Sequence, residues 1–140
     1  MNLSDILPDG LTVSPREYSP LALAFIGDAV YEVFVRAKLV AQANASANTL
    51  HKKAIAYVKA EAQANAAKQL TDTLTEDELA AFKRGRNAKS ATVPKHADVT
   101  DYRYATALEA LFGYLYLSDE TGRLNQLMQL TFDIITSLSD

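Results

Sequence analysis

An all-α fold is predicted for this 140-residue chain by three observations. Alanine, the strongest helix former, occurs 23 times against five glycines and four prolines. Pro8, Pro15 and Pro20 all fall in the first twenty residues, and Pro94 stands alone in the middle, so most of the chain is free to run as long helices. Two runs, LALAFIGDAVYEVFV and ATALEALFGYLYL, are apolar on nearly every face, as helices are when buried in a core or an interface. The length fits one domain, residues 1–140, with a single core.

Taken in order, residues 1–19 read as an irregular arm with turns at Pro8-Asp9-Gly10 and Ser14-Pro15. Ser19 before Pro20 is an N-cap followed by proline at the first helical position, which starts a helix reaching about Val40. Ser46 caps a second helix to about Leu70, largely solvated, with Leu50, Ile55, Val58 and Leu70 as its sparse apolar positions. Thr75 and Glu78 form a T-x-x-E capping box for a short helix through Leu79 and Phe82. A stretch from Lys83 to Val99, containing Gly85 and Pro94, is expected to include a loop. Thr100 caps a helix over the second apolar run. A turn at Asp119-Glu120 and Gly122 leads to a last amphipathic helix carrying Leu124, Leu127, Met128, Leu130, Phe132, Ile134, Ile135 and Leu138.

Composition closes off several chemistries. With no cysteine there is no disulfide framework, no thiolate metal site and no cysteine nucleophile. The two histidines, His51 and His96, are too far apart to announce a metal site. No basic leader or membrane-length apolar run is visible, which makes the cytoplasm the expected location. P-loop, GxGxxG, HExxH and nucleophile-elbow motifs are all missing.

Two carboxylates are out of place: Asp28 in the first apolar run and Glu109 in the second. An ionised acid in such a setting is costly unless it is paired, hydrogen-bonded or bound to a metal. A satisfied structural carboxylate remains one reading. If both acids face one point, they can hold a hard, oxygen-ligated cation such as Mg²⁺. Glu32, one turn beyond Asp28, reads as a solvated partner of Arg36, with a supporting role at the site as the alternative. Residues 83–97, KRGRNAKSATVPKHA, carry five positive charges and no acid, leaving nine basic and 17 acidic residues elsewhere. Lys83, Arg84, Arg86, Lys89, Lys95 and His96 are therefore candidates for phosphate contacts, although a short solvated loop has the same composition.

These segments also carry a resemblance. LALAFIGDAVYEVFVRAK resembles the signature helix of the ribonuclease III catalytic domain, and YRYATALEALFGYLYL resembles that domain's second motif helix. RGRNAKSATVPKHADV, lying between them, is similar to the basic segment of the family's short branch, mini-ribonuclease III, which has no appended double-stranded RNA-binding domain. The resemblance runs from about Ser19 to Leu117. It implies an endoribonuclease that cuts double-stranded RNA, with the 23S ribosomal RNA precursor as substrate, Mg²⁺ as cofactor and a homodimer as the assembly. A helper ribosomal protein is another implied partner. Asp28 and Glu109 match two of the wider family's four metal-site acids, while the other two positions fall on Ala24 and Thr106. Waters, RNA phosphates or another acid such as Asp98 or Asp101 are left to complete the coordination. A catalytically inactive RNA-binding or ribosome-associated module of the same fold is the alternative function.

The first apolar helix adds an expectation about assembly. Ile26, Ala29, Val30, Val33 and Phe34 cannot all point into one small core, so some of them should meet a second copy.

Overall fold

The structure, a computed structural model, describes residues 3–6, 10–89 and 98–139, and every regular element among them is helical. Short 3₁₀ turns at Leu3–Ile6 and Pro15–Glu17 punctuate the N-terminal arm. Six α-helices follow: α1 (Pro20–Gln42), α2 (Ala47–Val58), α3 (Ala60–Leu70), α4 (Glu76–Asn87), α5 (Val99–Leu117) and α6 (Thr121–Leu138). The expected turn at Pro8-Asp9-Gly10 and the loop around Pro94 fall outside the described residues. No described helix is long and apolar enough to cross a membrane.

Helix α5 is the axis of the fold. α1, α3 and α4 pack around it, and α6 closes against α3 and α5. The core they share contains Tyr31, Phe82, Leu108, Leu111, Phe112, Leu127 and Met128. Phe132 stacks on Tyr57 with ring centroids 4.1 Å apart, fastening α6 to the end of α2.

Local signals set most helix starts. The Ser19 hydroxyl accepts from the Ala22 amide, and Ser46 accepts from Thr49. The Thr75–Glu78 box forms in both directions. Glu78 does more than cap: it is buried and takes Nε and an Nη of Arg123 at 2.9 Å each, while Arg123 also donates to the Thr73 carbonyl. Burial alone would raise the Glu78 pKa, but the hydrogen bonds from Arg123 and Thr75 outweigh it and hold the carboxyl below its usual range. This pair locks the start of α4 onto α6. The end of α5 is a Schellman closure, with Asp119 in the left-handed region at φ 57° and the Glu120 amide reaching back to Leu115.

Four details differ from the sequence reading. The helix expected from Ser46 to Leu70 is broken at Lys59, which is extended, into α2 and α3. No glycine or proline marks the break. The two carbonyls at its edge are met from outside the segment's own ladder: the Tyr31 hydroxyl donates to the Tyr57 carbonyl at 2.9 Å, and Gln63 Nε2 donates to the Val58 carbonyl at 2.7 Å. Helix α4 runs on to Asn87, so Lys83, Arg84 and Arg86 are helical. Gly85 lies inside it because that turn presses on Ala107 and Ala110 of α5 with no room for a Cβ. Asp98, not Thr100, caps α5, since its carboxylate accepts the Asp101 amide and starts the helix two residues earlier. Gly122 falls in the first turn of α6 rather than in the turn before it.

Candidate active site

Glycine in mid-helix costs roughly 0.5–1 kcal/mol relative to alanine, so Gly27 in α1 and Gly113 in α5 call for a reason. The reason is the crossing of the two helices. A Cβ on Gly27 would sit 1.7 Å from the Glu109 carbonyl oxygen, and one on Gly113 would sit 1.9 Å from the Leu23 carbonyl oxygen. The helices therefore touch backbone to backbone. Asp28 follows Gly27 directly, and Glu109 lies one turn before Gly113 on α5. The crossing that needs the glycines also brings the two acids together.

Their electrostatics record that closeness. Burial, the neighbouring Asp28 charge and a hydrogen bond to Asp28 push the Glu109 carboxyl up to about 8, and the Gln63 amide pulls it partly back. A carboxyl raised that far is mostly protonated near neutral pH. Burial of the pair is unequal: Asp28 is exposed in a single chain and Glu109 is half-buried. The sequence reading of Asp28 as a buried acid is corrected here, because the apolar residues around it do not all face inward. Val30 is buried and Ile26 and Phe34 pack against the core, but Phe25 is 83% exposed, Val33 55%, and Ala29 is exposed with them.

The other acids are accounted for. Glu32 pairs with Arg36 at 2.8 Å, the solvated reading of that residue. Asp98 is engaged as the α5 cap, and Asp101 lies two turns before Glu109. Ala24 and Thr106 are buried, and Thr106 donates to the Tyr102 carbonyl. Among the described residues no three His, Cys, Asp or Glu side chains cluster, so the site is built on a pair.

Gln63 falls in the stretch read as largely solvated, and the structure corrects that reading: α3 buries six of its eleven residues, Gln63 among them. Gln63 is 2% exposed, its amide donates to the Val58 carbonyl, and it lies near enough to Glu109 to pull that carboxyl's pKa down. A polar side chain sharing a helical face with Ala67 and Leu70, at spacings of four and seven, was a readable signal.

The basic segment divides. Arg84 donates to the carbonyls of Arg16 at 2.7 Å and Tyr18 at 2.8 Å, tying the N-terminal arm to α4. Lys83 and Lys89 are exposed and Arg86 is partly so. Lys95 and His96 lie outside the described residues. Between the end of α4 and the start of α5 an open groove of about 370 Å³ is lined by Lys89, Tyr102, Arg103 and Thr106.

Comparison with known proteins adds independent findings. A family described as "Ribonuclease III domain" matches residues 21–120. A protein named Mini-ribonuclease 3 from Thermoanaerobacter sp. (strain X514) is 53% identical over 117 residues, 84% of this chain and 82% of that one. Its namesake from Brevibacillus brevis is 51% identical over 125 residues, 89% of this chain and 93% of the relative. A crystal structure of a protein from Fusobacterium nucleatum superposes with a TM-score of 0.76 at 34% identity, covering 84% of this chain and 94% of that chain.

Proposed function

This chain belongs to the ribonuclease III family, and from that premise we propose that it cuts double-stranded RNA at the Asp28–Glu109 pair with Mg²⁺ as cofactor. The observation that carries the reading is the pair itself: two carboxylates held side by side, Glu109 pushed up to about 8 in part by the Asp28 charge, with no salt bridge to either among the described residues. Such a donor set, all hard oxygen, fits Mg²⁺ with its remaining positions filled by water or phosphate. When bound, the ion supplies an activated water and charge stabilisation at the scissile phosphate and the departing 3′-oxygen. Asp28, exposed, and Glu109, half-buried, would hold the ion through their carboxylates, Glu109 after losing its proton. Products carry a 5′-phosphate and a 3′-hydroxyl.

Lys83, Arg86 and Lys89 serve as phosphate contacts, together with Lys95 and His96. A-form RNA hides its base edges in a deep, narrow major groove, so recognition rests on shape and backbone. The paired ends of the 23S ribosomal RNA precursor are the cellular substrate we propose. Cleavage of a long RNA duplex, a single-stranded RNA and a DNA duplex, each with Mg²⁺ or with chelator, tests the reading. Cleavage of the RNA duplex alone, and only with Mg²⁺, is expected; cutting that persists in chelator would refute it.

The RNA contacts predict a salt effect. Replacing Lys83, Arg86 and Lys89 together by alanine should weaken duplex binding and reduce the slope of log K against log salt by roughly 0.7–0.9 per lost contact, measured on the uncleaved complex. Arg84 is left in place because its loss would release the arm. An unchanged slope would put the RNA on another face.

A homodimer completes the proposal. Phe25, Ala29 and Val33 lie on the same exposed side of α1 as Asp28, and a two-fold axis along that helix would cover them and set two acid pairs in one valley, one for each strand. Phe25→Asp should convert the dimer to monomers in sedimentation and end double-strand cleavage. Ile26, by contrast, packs inward within 3.0 Å of where a Gly113 Cβ would lie, so a charge there would break the fold itself. A Phe25→Asp protein that remains dimeric would show that the interface lies elsewhere.

A further inference from the structure

We infer that Gln63 is a positioning residue for the cation site: its amide anchors the Glu109 carboxylate to the junction between α2 and α3. The inference deepens, and rests on, the reading of Asp28 and Glu109 given above.

A glutamine amide has two N–H donors and one acceptor oxygen. One donor is fixed by the Val58 carbonyl at 2.7 Å, which holds the amide plane against the end of α2. The same side chain lies beside Glu109 on the neighbouring α5, where it favours the charged form and pulls that carboxyl's pKa partly back down. The break at Lys59 is what makes this possible. An unbroken helix would tie up the Val58 carbonyl within its own ladder, and the turn carrying Gln63 would point elsewhere. The junction's other edge carbonyl, that of Tyr57, is held by the hydroxyl of the buried Tyr31.

The third atom distinguishes this arrangement from a plain helix cap. Oε1 of Gln63 is buried with no hydrogen-bond donor, the one such side-chain atom among the described residues. Buried polar atoms are nearly always paired, and capping Val58 does not require an unpaired oxygen beside an acid pair. A water in the hydration shell of a cation held by Glu109 and Asp28 would supply the missing donor. Gln63 would then grip the ligand through its N–H and the ligand's water through its oxygen, as the outer partners of metal ligands commonly do.

The test compares metal-free wild type, Gln63→Met and Tyr31→Phe, titrated with Mg²⁺ by calorimetry well below their melting temperatures. Tyr31→Phe removes the neighbouring cap at the same junction and serves as the structural control. Gln63→Met should weaken Mg²⁺ binding by about 10–100-fold and raise the Mg²⁺ concentration for half-maximal cleavage by the same factor, with the KM for RNA unchanged. Tyr31→Phe should lower the melting temperature while leaving Mg²⁺ affinity as in wild type. Because Gln63→Met can fail to fold, the side-chain amide resonances of Gln63 are also followed in ¹⁵N-labelled wild type. They should shift with Mg²⁺ at the midpoint the calorimetry gives. Wild-type affinity in Gln63→Met, equal weakening in both variants, or Gln63 resonances indifferent to bound Mg²⁺ would overturn the positioning role alone. A wild type that binds no Mg²⁺ would overturn the cation site as well.

Discussion

Asp28→Asn should lower the rate of RNA duplex cleavage by on the order of a thousandfold while leaving the melting temperature and duplex affinity close to wild type. The asparagine keeps the shape of the side chain but removes the charge that would hold the proposed cation. Asp28 is exposed in the single chain, so no buried network collapses with it. The change also removes the like charge that helps push Glu109 up to about 8, so the metal-free variant should be at least as stable as wild type at pH 7–8. Cleavage at the parental rate would remove Asp28 from the site.

The second large effect is expected at Gly27. An alanine there would place its Cβ 1.7 Å from the Glu109 carbonyl oxygen and 2.7 Å from the Gly113 amide nitrogen. Both neighbours are backbone, so neither can swing aside, and α1 and α5 must separate. We expect a loss of about 3 kcal/mol or more in denaturant unfolding, at or beyond the upper end of overpacking costs. Moving Asp28 away from Glu109 should also cost on the order of a hundredfold in rate, since displacements near 1 Å are enough for that. Gly122, which has nothing within 4 Å of its Cβ position, is the control: Gly122→Ala should be neutral or mildly stabilising. If the two variants behaved alike, the close crossing would not be what holds the site together.

How much of this was legible depended on whether the cause was local. The Ser19-Pro20 start and the Thr75–Glu78 box are written within four residues, and the structure has both. The break at Lys59 could not be read there. Its carbonyls are satisfied by Tyr31, 26 residues upstream of Tyr57 in the chain, and by a glutamine whose role shows only once α3 is turned onto α5. Gly85 looked like a loop residue because its reason, the surface of α5, is distant in sequence. Asp28 and Glu109 stood out as acids in apolar runs. The sequence did not reveal that one faces solvent and the other the interior, because apolar patterning does not distinguish a core face from an uncovered one. Arg84 was grouped with the basic segment on charge alone, and its two carbonyl partners belong to the arm.

Glu109 also sets a direction in pH. Its raised folded pKa means that the metal-free protein loses this residue's contribution to stability as pH rises from about 4.5, its ordinary value, through about 8. A cation that ligates Glu109 must displace its proton. The measurement that bears most directly on the site is therefore calorimetric Mg²⁺ titration of the metal-free protein in buffers of different ionisation enthalpy, from pH 6.5 to 9. Wild type should release about one proton per ion at the acidic end and almost none at the alkaline end, with affinity rising between them. Glu109→Gln should bind weakly and release none. If Glu109→Gln bound Mg²⁺ as tightly as wild type, with the same proton count, the acid pair would not be the cation site.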